Sequence, residues 1–426
     1  MKIERIEWDG ANAEGLARRV RGMAPPLDEV TEEVTEIIAA VRKRGDEALR
    51  ELGLRFGEPP VENVRVDPEL VAAAPALVPR EVREALRVAA ANISLVAATQ
   101  AKAELRPVSV ELPAGQRVEV GASPVASAGA YAPGGRGSYP SSVLMAALPA
   151  RAAGVPRFAV VSPPSAGGRP DDAVLAACAV AGVEEVYSVG GAQAIAALAH
   201  GTDAIPAVDV IVGPGNRYVT EAKRLLNGKV GIDGVAGPSE LAVVADGTAN
   251  PNLIALDLCA QAEHGDDGML AVISPDPALL DAVTGLVEQL AAERPSVHEA
   301  TLASITAPGL ELALSLADSL APEHLELAFR GADEASARGR VAGCVFVGSG
   351  GATAFGDYAA GSNHVLPTGG AARFGRPLGP GAFMRRTAVV HIGSAAAAEL
   401  APQVAAIARA EGFPVHGESA QARVKE

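Results

Sequence analysis

Several side chains in the second half of the chain are of types that bind metal ions. Gln261 and His264 lie three residues apart in a segment with helical periodicity, so both project from one face of the predicted helix. Asp357 lies in a glycine-rich segment, and His416 ends the motif Glu411-Gly-Phe-Pro-Val-His. Imidazole, carboxylate and amide donors suit zinc better than magnesium or calcium. Spacing alone does not bring these residues together, and each histidine is also explained as a hydrogen-bonded surface or cap residue.

The neighbouring residues Glu323 and His324 are candidates for acid–base chemistry. A carboxylate and an imidazole near one pocket can each transfer protons close to neutral pH. On a helix, adjacent side chains point about 100° apart, so the two would serve different atoms. The alternative is structural, because Pro322 suits the first turn of a helix and Glu323 would complement the helix dipole.

Two glycine turns, Gly190-Gly191 and Gly213-Pro-Gly-Asn216, each separate a predicted strand from a predicted helix. Backbone N–H groups at such a turn can hold an anion. The dinucleotide fingerprint Gly-x-Gly-x-x-Gly is absent, and tight strand–helix packing explains the same glycines. Tyr131, in the glycine-rich loop 130–137, could stack on a flat ring or be an ordinary partly buried tyrosine.

Residues 131–236 alternate short apolar runs with helical runs, which predicts a parallel sheet with Rossmann-like layering. Predicted strands and helices recur after residue 239, whereas residues 1–105 are predicted to be mostly helical and residues 348–381 mostly irregular. The segments that matter below are helices at 27–42, 81–105, 173–181, 192–200, 218–226, 252–264, 279–293 and 396–411, a strand pair at 108–125, and strands at 157–162, 185–189, 208–212, 241–245, 269–274 and 342–347.

The composition excludes several classes of protein. The chain has 426 residues, 49% of them hydrophobic, and a net charge of −15, which argues against a general binder of nucleic acid or anionic membranes. The three widely spaced cysteines indicate a reducing compartment rather than a disulfide framework. The N-terminus lacks the apolar run of a signal peptide, and no run is long enough for a transmembrane helix. We therefore expect a soluble, cytoplasmic protein.

Taken in order along the chain, eight motifs closely resemble the histidinol dehydrogenase family. They are Gly129-Ala-Tyr-Ala-Pro-Gly-Gly, Val189-Gly-Gly-Ala-Gln-Ala-Ile-Ala-Ala-Leu, Val212-Gly-Pro-Gly-Asn, Ala236-Gly-Pro-Ser-Glu, Ala260-Gln-Ala-Glu-His, Pro322-Glu-His, Gly361-Ser-Asn-His-Val-Leu-Pro-Thr-Gly and Glu411-Gly-Phe-Pro-Val-His. The resemblance implies two NAD-dependent hydride transfers that convert L-histidinol to L-histidine through an aldehyde, with one zinc ion per site.

The resemblance also implies a role for particular residues. Glu323 and His324 would be the acid–base residues, with His324 taking the alcohol proton and Glu323 activating water. The zinc ligands would be Gln261, His264, Asp357 and His416. The substrate site would comprise Ser239, Gln261, His264, His324, Asp357, Glu411 and His416. NAD would contact Tyr131, Gln193 and Asn216. His364 lies in a family motif, and we expect it to orient its loop.

The expected architecture is an α/β fold with two incomplete Rossmann-like parallel-sheet domains and small helical terminal segments used in dimerisation. Residues 1–24 would form a helical arm, 25–130 and 237–380 a discontinuous α/β domain carrying most metal and catalytic residues, and 131–236 the NAD-binding domain. Residues 381–426 would be a tail that reaches the partner subunit, so the active site would be shared within a homodimer.

Three alternative functions stay open on the sequence. A relative of the same superfamily, such as a sulfopropanediol dehydrogenase, would use zinc and NAD on another alcohol. The pair Ser239 and Glu411 favours a cationic, imidazole-bearing substrate, because a carboxylate can pair with its amine. A zinc hydrolase would use Glu323 as its base without a redox cofactor, and a non-enzymatic protein would only bind metal or nucleotide.

Overall fold

The computed structural model describes residues 1–23, 30–134 and 137–424. Its strands are β1 (Lys2–Glu7), β2 (Val108–Glu111), β3 (Arg117–Pro124), β4 (Ser127–Tyr131), β5 (Arg157–Ser162), β6 (Glu185–Ser188), β7 (Val210–Val212), β8 (Gly231–Ile232), β9 (Glu240–Ala245), β10 (Met269–Ser274), β11 (Thr301–Thr306), β12 (His324–Ala328), β13 (Cys344–Val347) and β14 (Met384–His391). Its helices are α1 (Ala13–Arg21), α2 (Thr31–Arg44), α3 (Asp46–Arg55), α4 (Pro68–Ala73), α5 (Arg80–Glu104), α6 (Pro140–Ala153), α7 (Asp172–Ala181), α8 (Gly191–His200), α9 (Arg217–Leu226), α10 (Pro251–Ala262), α11 (Pro277–Glu293), α12 (Leu310–Leu320), α13 (Ala332–Ala337), α14 (Thr353–Tyr358), α15 (Ser394–Ala410) and α16 (Pro414–Ala422).

Some predicted features fall partly outside these ranges. Residues 27–29 of the predicted helix 27–42, the proposed boundary at 24–25 and residues 135–136 of the glycine-rich loop all lie outside the described residues. None of the described helices combines the length and the apolar character needed to cross a lipid bilayer.

The first parallel sheet has five strands in the order β6-β5-β4-β7-β8. Helices α6 to α9 connect its successive strands, and apolar clusters cover both faces. The strand order reverses between β4 and β7, as in a dinucleotide-binding sheet. Strand–turn–helix alternation in the sequence correctly predicted this unit, because each strand and helix carries its own apolar periodicity.

The second parallel sheet has six strands in the order β1-β11-β10-β9-β12-β13. The prediction of a helical arm over residues 1–24 is wrong for its first part, because residues 2–7 pair in register with residues 301–306 at the edge of this sheet. Strand β1 reads Lys-Ile-Glu-Arg-Ile-Glu, and its charged residues are typical of an edge strand, whereas the three-residue spacing of Ile3 and Ile6 resembles that of an exposed helix. Among residues 1–23, α1 supplies the helical part.

Helices α2 to α5 pack on the first sheet, whereas α1 packs on the second. Val34 and Ile37 of α2 share a core with Ile195, and Leu86 and Ile93 of α5 lie in the core that includes helix α6. The structure therefore differs from the predicted grouping of residues 25–130 with residues 237–380. The difference arises because the amphipathic periodicity of a helix shows that one face is buried but not which partner buries it.

A small antiparallel sheet, ordered β14-β3-β2, forms the third layer, and it confirms the strand pair predicted at 108–125. After β14 the chain continues into α15 and α16, which pack against each other. We call residues 394–422 the C-terminal hairpin. Its side chains Ile407, Phe413 and Val415 are 61%, 55% and 68% exposed, so the single chain leaves an apolar surface there.

Candidate functional site

The candidate catalytic residues meet at the edge of the six-stranded sheet where its central strands begin. Ser239 precedes β9, which begins at Glu240, and Glu323 precedes the neighbouring parallel strand β12, which begins at His324. Ligand sites of open parallel sheets are usually at the opposite, carboxyl edge. The predicted helix start at Pro322 is wrong, because the residues that follow it form the strand that brings His324 beside β9.

Glu323 is held by two hydrogen bonds to one carboxylate oxygen. The Ser239 hydroxyl donates to Oε2 at 2.5 Å, and the backbone N–H of Glu240 donates to the same atom at 2.8 Å. Only 7% of Glu323 is exposed. Burial raises the pKa of its carboxyl to about 7, although both hydrogen bonds and the His324 ring oppose the rise. The group can therefore gain or lose a proton near neutral pH.

The ring of His324 is fixed at both nitrogens. Nδ1 lies 3.0 Å from the backbone carbonyl oxygen of Glu240 and 3.5 Å from Oε2 of Glu323, whereas Nε2 lies 3.5 Å from Oδ1 of Asp357. Burial lowers the pKa of His324, but the Glu323 and Asp357 carboxylates outweigh it and raise the pKa to about 9. Glu323 and His324 thus lie within ion-pair distance of each other, while the hydrogen bonds of each side chain go to other groups.

Three of the four predicted metal ligands gather beside this pair. The Gln261 amide donates to the Ser239 hydroxyl at 2.6 Å, and its own Oε1 is buried without a hydrogen-bond partner. Helix α10 ends at Ala262, so His264 lies in the turn after the helix. The prediction that His264 lies on the helix is therefore wrong. Burial lowers the pKa of His264, while the Asp357 carboxylate opposes that change through space. Within the described ranges, no three His, Cys, Asp or Glu side chains form a cluster that could hold a metal ion.

His364 supports the backbone at Asp357. Its Nδ1 lies 2.8 Å from the Asp357 carbonyl oxygen, and its Nε2 lies 3.2 Å from the hydroxyl of Ser142. The ring thus links α6 to the segment that carries Asp357, in agreement with the expectation that His364 orients its loop.

Glu411 and His416 lie apart from this cluster. Both are exposed on the C-terminal hairpin, and the ring of His416 is 5.5 Å from that of Phe413, measured between centroids. Because α16 packs on α15, these residues belong to the hairpin in the single chain. The structure therefore links Gln261 to Ser239, and His264 and Asp357 to His324, whereas His416 contacts Phe413 on the hairpin.

The predicted NAD residues lie at the carboxyl edge of the five-stranded sheet. Tyr131 ends β4, beside the reversal of strand order, and burial raises the pKa of its hydroxyl to about 12. Gln193 in α8 is 1% exposed, and its Oε1 has no hydrogen-bond partner. Asn216 precedes α9, where its side-chain oxygen accepts from the N–H groups of Tyr218 and Val219 at 3.0 and 3.2 Å.

Protein groups already bond the backbone at both glycine turns. The N–H of Gly191 donates to the Tyr131 hydroxyl at 3.1 Å, and that of Gly213 donates to Asp233 at 2.7 Å. Lys223 pairs with Asp233 and also donates to the Gly213 carbonyl at 2.9 Å. Gly213 has φ +108°, and a Cβ there would lie 2.3 Å from the Tyr131 carbonyl oxygen. These contacts favour the structural interpretation of the turns over anion binding.

A buried ion pair beside Glu323 was not predicted from the sequence. Arg21, at the end of α1, donates to both carboxylate oxygens of Glu240 at 2.5 and 3.2 Å. The same carboxylate accepts from the N–H groups of Glu323 and Gly369 at 3.2 and 2.9 Å. Glu240 could have been suspected, since it follows Ser239 in a family motif. Arg21 could not, because it is one of several arginines in an amphipathic helix.

Comparison with known proteins gives one consistent result. The sequence matches the family model for histidinol dehydrogenase over residues 23–424. It is 40% identical to the histidinol dehydrogenase of Methylococcus capsulatus, covering 100% of this chain and 99% of that protein, and 43% identical to that of Gluconobacter oxydans, covering both completely (100% and 100%). The crystal structure of histidinol dehydrogenase from Elizabethkingia anophelis superimposes with a TM-score of 0.91 at 30% identity, covering 100% of this chain and 98% of that one.

Proposed function

The chain belongs to the histidinol dehydrogenase family, and we propose that it oxidises L-histidinol to L-histidine by way of L-histidinal. Converting an alcohol to a carboxylate removes four electrons, so two hydride transfers are needed and water must add to the aldehyde between them. We place the reaction in the cytoplasm, as the last steps of histidine biosynthesis. The network that joins Gln261, Ser239, Glu323 and His324, with Asp357 against the His324 ring, carries the proposal.

The residues at the carboxyl edge of the five-stranded sheet fit NAD. Sheets of this type bind ligands where the strand order reverses, which here is beside Tyr131, and the unpartnered Oε1 of Gln193 is a buried acceptor that a ligand hydroxyl or amide would satisfy. Tyr131, Gln193 and Asn216 would hold the cofactor, which supplies the hydride acceptor for each oxidation.

The donors around Gln261 fit zinc. Its Oε1 is a buried oxygen without a partner, and an imidazole and a carboxylate lie nearby in His264 and Asp357. The partner subunit's His416 would complete the set. A bound zinc ion would supply positive charge that anchors the imidazole and amino nitrogens of the substrate.

Glu323 and His324 would divide the proton transfers. His324 takes the alcohol proton as the first hydride leaves, and its Nδ1 contact with the Glu240 carbonyl keeps Nε2 directed toward the site. Glu323 removes a proton from the water that adds to the aldehyde, a role for which a carboxylate pKa of about 7 is suited. A cation bound to Asp357 would offset the negative charge of that carboxylate, which raises the pKa of His324, and so would favour the neutral ring that can accept a proton.

A homodimer would complete the site. The C-terminal hairpin carries Glu411 and His416 away from the other site residues and exposes apolar side chains that include Ile407 and Val415. A second copy covering this surface would bring its own His416 to the neighbouring cluster, because the arrangement would be reciprocal in a two-fold dimer. Glu411 would then pair with the amino group of the substrate.

The decisive experiment titrates metal-free protein with zinc while NADH formation from L-histidinol is followed. We expect no turnover without zinc, and two NADH for each histidinol once the site is filled. Assays with a sulfonated propanediol and with ester or amide substrates run alongside. NADH formation from the propanediol but not from histidinol would identify the protein as a sulfopropanediol dehydrogenase instead. Hydrolysis of the ester or amide without NADH formation would favour the hydrolase.

A further inference from the structure

A carboxylate from the N-terminal helical region lies at the carboxyl edge of the five-stranded sheet, where we propose that NAD binds. Glu58 follows α3, and the N–H of Gly190 donates to its carboxylate. A Cβ built on Gly190 would lie 2.3 Å from Oε1 of Glu58 and 2.7 Å from Cγ of Pro163. Glu58 is therefore packed against the residues that follow β5 and β6, although more than 100 residues separate it from both in sequence.

The charge of this carboxylate affects its surroundings. Within the described part of the chain, no Lys, Arg or His forms an ion pair with Glu58, and its negative charge also acts on the Tyr131 hydroxyl. Burial raises the pKa of Glu58, and the hydrogen bond from Gly190 opposes that rise. Beside it, the buried Oε1 of Gln193 lacks a partner and would lie 2.6 Å from a Cβ on Gly191. The Glu58 carboxylate and the Gln193 amide oxygen thus both lie at the turn Gly190-Gly191, and each can accept further hydrogen bonds.

The position of Glu58 in the sheet indicates what it would bind. In the order β6-β5-β4-β7-β8, β5 is the second strand of the unit in chain order, beside the strand that ends at the reversal. In dinucleotide-binding sheets of this order, an acidic residue after the second strand accepts hydrogen bonds from the ribose hydroxyls of the adenosine half, and it repels a 2′-phosphate. Here the residues after β5 are Pro163, Pro164 and Ser165, which carry no charge.

We propose that Glu58 supplies this missing carboxylate and makes the protein select a cofactor with a free ribose 2′-hydroxyl over one that carries a 2′-phosphate. The inference rests on the proposed function, because it requires a nicotinamide dinucleotide at this edge of the sheet. Glu58 accepts hydrogen bonds from the ribose, and its charge disfavours the phosphorylated ribose through like-charge repulsion.

Calorimetric titration of the zinc-loaded protein with NAD and with NADP tests the inference through binding rather than turnover. We expect the wild-type protein to bind NAD more tightly. Glu58→Gln removes the charge and keeps the shape of the side chain. The ratio of the NADP Kd to the NAD Kd should therefore fall by about tenfold or more, because the repulsion between two like charges is lost. Glu58→Asp keeps the charge and should preserve the preference. Glu62→Gln, an exposed neighbour of equal charge, should leave the ratio unchanged.

The outcomes separate the two proposals. Melting curves first establish that each variant is folded. Wild-type protein that binds NAD and oxidises histidinol, together with a Glu58→Gln variant of unchanged ratio, overturns the role of Glu58 and leaves the proposed function intact. Wild-type protein that binds neither cofactor and forms no NADH overturns both.

Discussion

The Ser239 hydroxyl donates to the Glu323 carboxylate at 2.5 Å, and the same hydroxyl accepts from Gln261 at 2.6 Å. One serine thus joins the proposed general base to a proposed metal ligand. This hydrogen bond stabilises the charged carboxylate, and it opposes the burial that raises the pKa of Glu323 to about 7.

Replacing that serine should move the pH dependence of the second oxidation. In Ser239→Ala the carboxylate loses a donor, so its pKa rises further and a higher pH is needed to form the base. We expect the alkaline-rising limb of the histidinal oxidation rate to shift to higher pH. Ser109→Ala, on exposed β2, is the control. A variant whose limb stays in place would show that Ser239 does not tune Glu323.

Removing the proposed base should separate the two oxidations. Glu323→Gln keeps the size of the side chain but cannot accept a proton, so oxidation of histidinal should fall about 10²–10⁴-fold. Oxidation of histidinol to histidinal should suffer less, because His324 takes that proton. Stopped-flow measurement of each step, with exposed Glu334→Gln as control, checks this. Equal loss in both steps would contradict the division of roles.

The C-terminal hairpin should be required for metal binding. His416→Asn removes the imidazole nitrogen, so zinc content and histidinol oxidation should decline together. Zinc is measured by elemental analysis of the dialysed protein, and His391→Asn, on an exposed strand, is the control. Full zinc content with full activity in His416→Asn would contradict the assignment of His416 as a zinc ligand.

The ion pair between Arg21 and Glu240 should contribute to stability. The two side chains are only 19% and 6% exposed, so Arg21→Ala leaves a buried carboxylate without its cation. Loss of one partner of a buried pair costs about 3–5 kcal/mol in the free energy of unfolding. Arg18→Ala on the same helix removes an exposed pair with Glu14 and should cost less than about 1 kcal/mol. Urea unfolding of both variants makes the comparison, and equal losses would refute it.

A buried carboxyl on β12 should make stability depend on pH. Burial and the nearby Asp257 carboxylate raise the pKa of Glu326 to about 8, well above its ordinary value of 4.5. The folded protein therefore holds a proton that the unfolded chain releases between these values, and stability falls as pH rises by up to about 1.4 kcal/mol per pH unit.

Glu326→Gln should remove this contribution, because an amide does not titrate. Relative to wild type, the variant should gain stability as the pH is raised from about 5 to about 8, the range set by the two pKa values. Denaturant unfolding of both proteins at several pH values gives the slopes. Parallel slopes would mean that Glu326 is charged in the folded protein.

Sequence reasoning succeeded where the information was local. Strand β5 was predicted at 157–162 and β10 at 269–274, with the bounds that the structure shows, because each is an apolar run bounded by turn residues. Helix α15 was predicted at 396–411 and spans Ser394–Ala410. The ordered motifs around Gln261, Glu323 and His416 were enough to identify the family.

The tertiary structure alone decided which distant residues meet. Pairing of β1 with β11 joins residues about 300 positions apart, and the Arg21–Glu240 pair spans 219 positions. Neither leaves a periodic pattern in the sequence, because an isolated arginine or a charged edge strand has the same local character whatever it contacts. The carboxylate beside Gly190 likewise comes from Glu58, which precedes the five-stranded sheet in sequence. Its position at this turn could be recognised only from the folded chain.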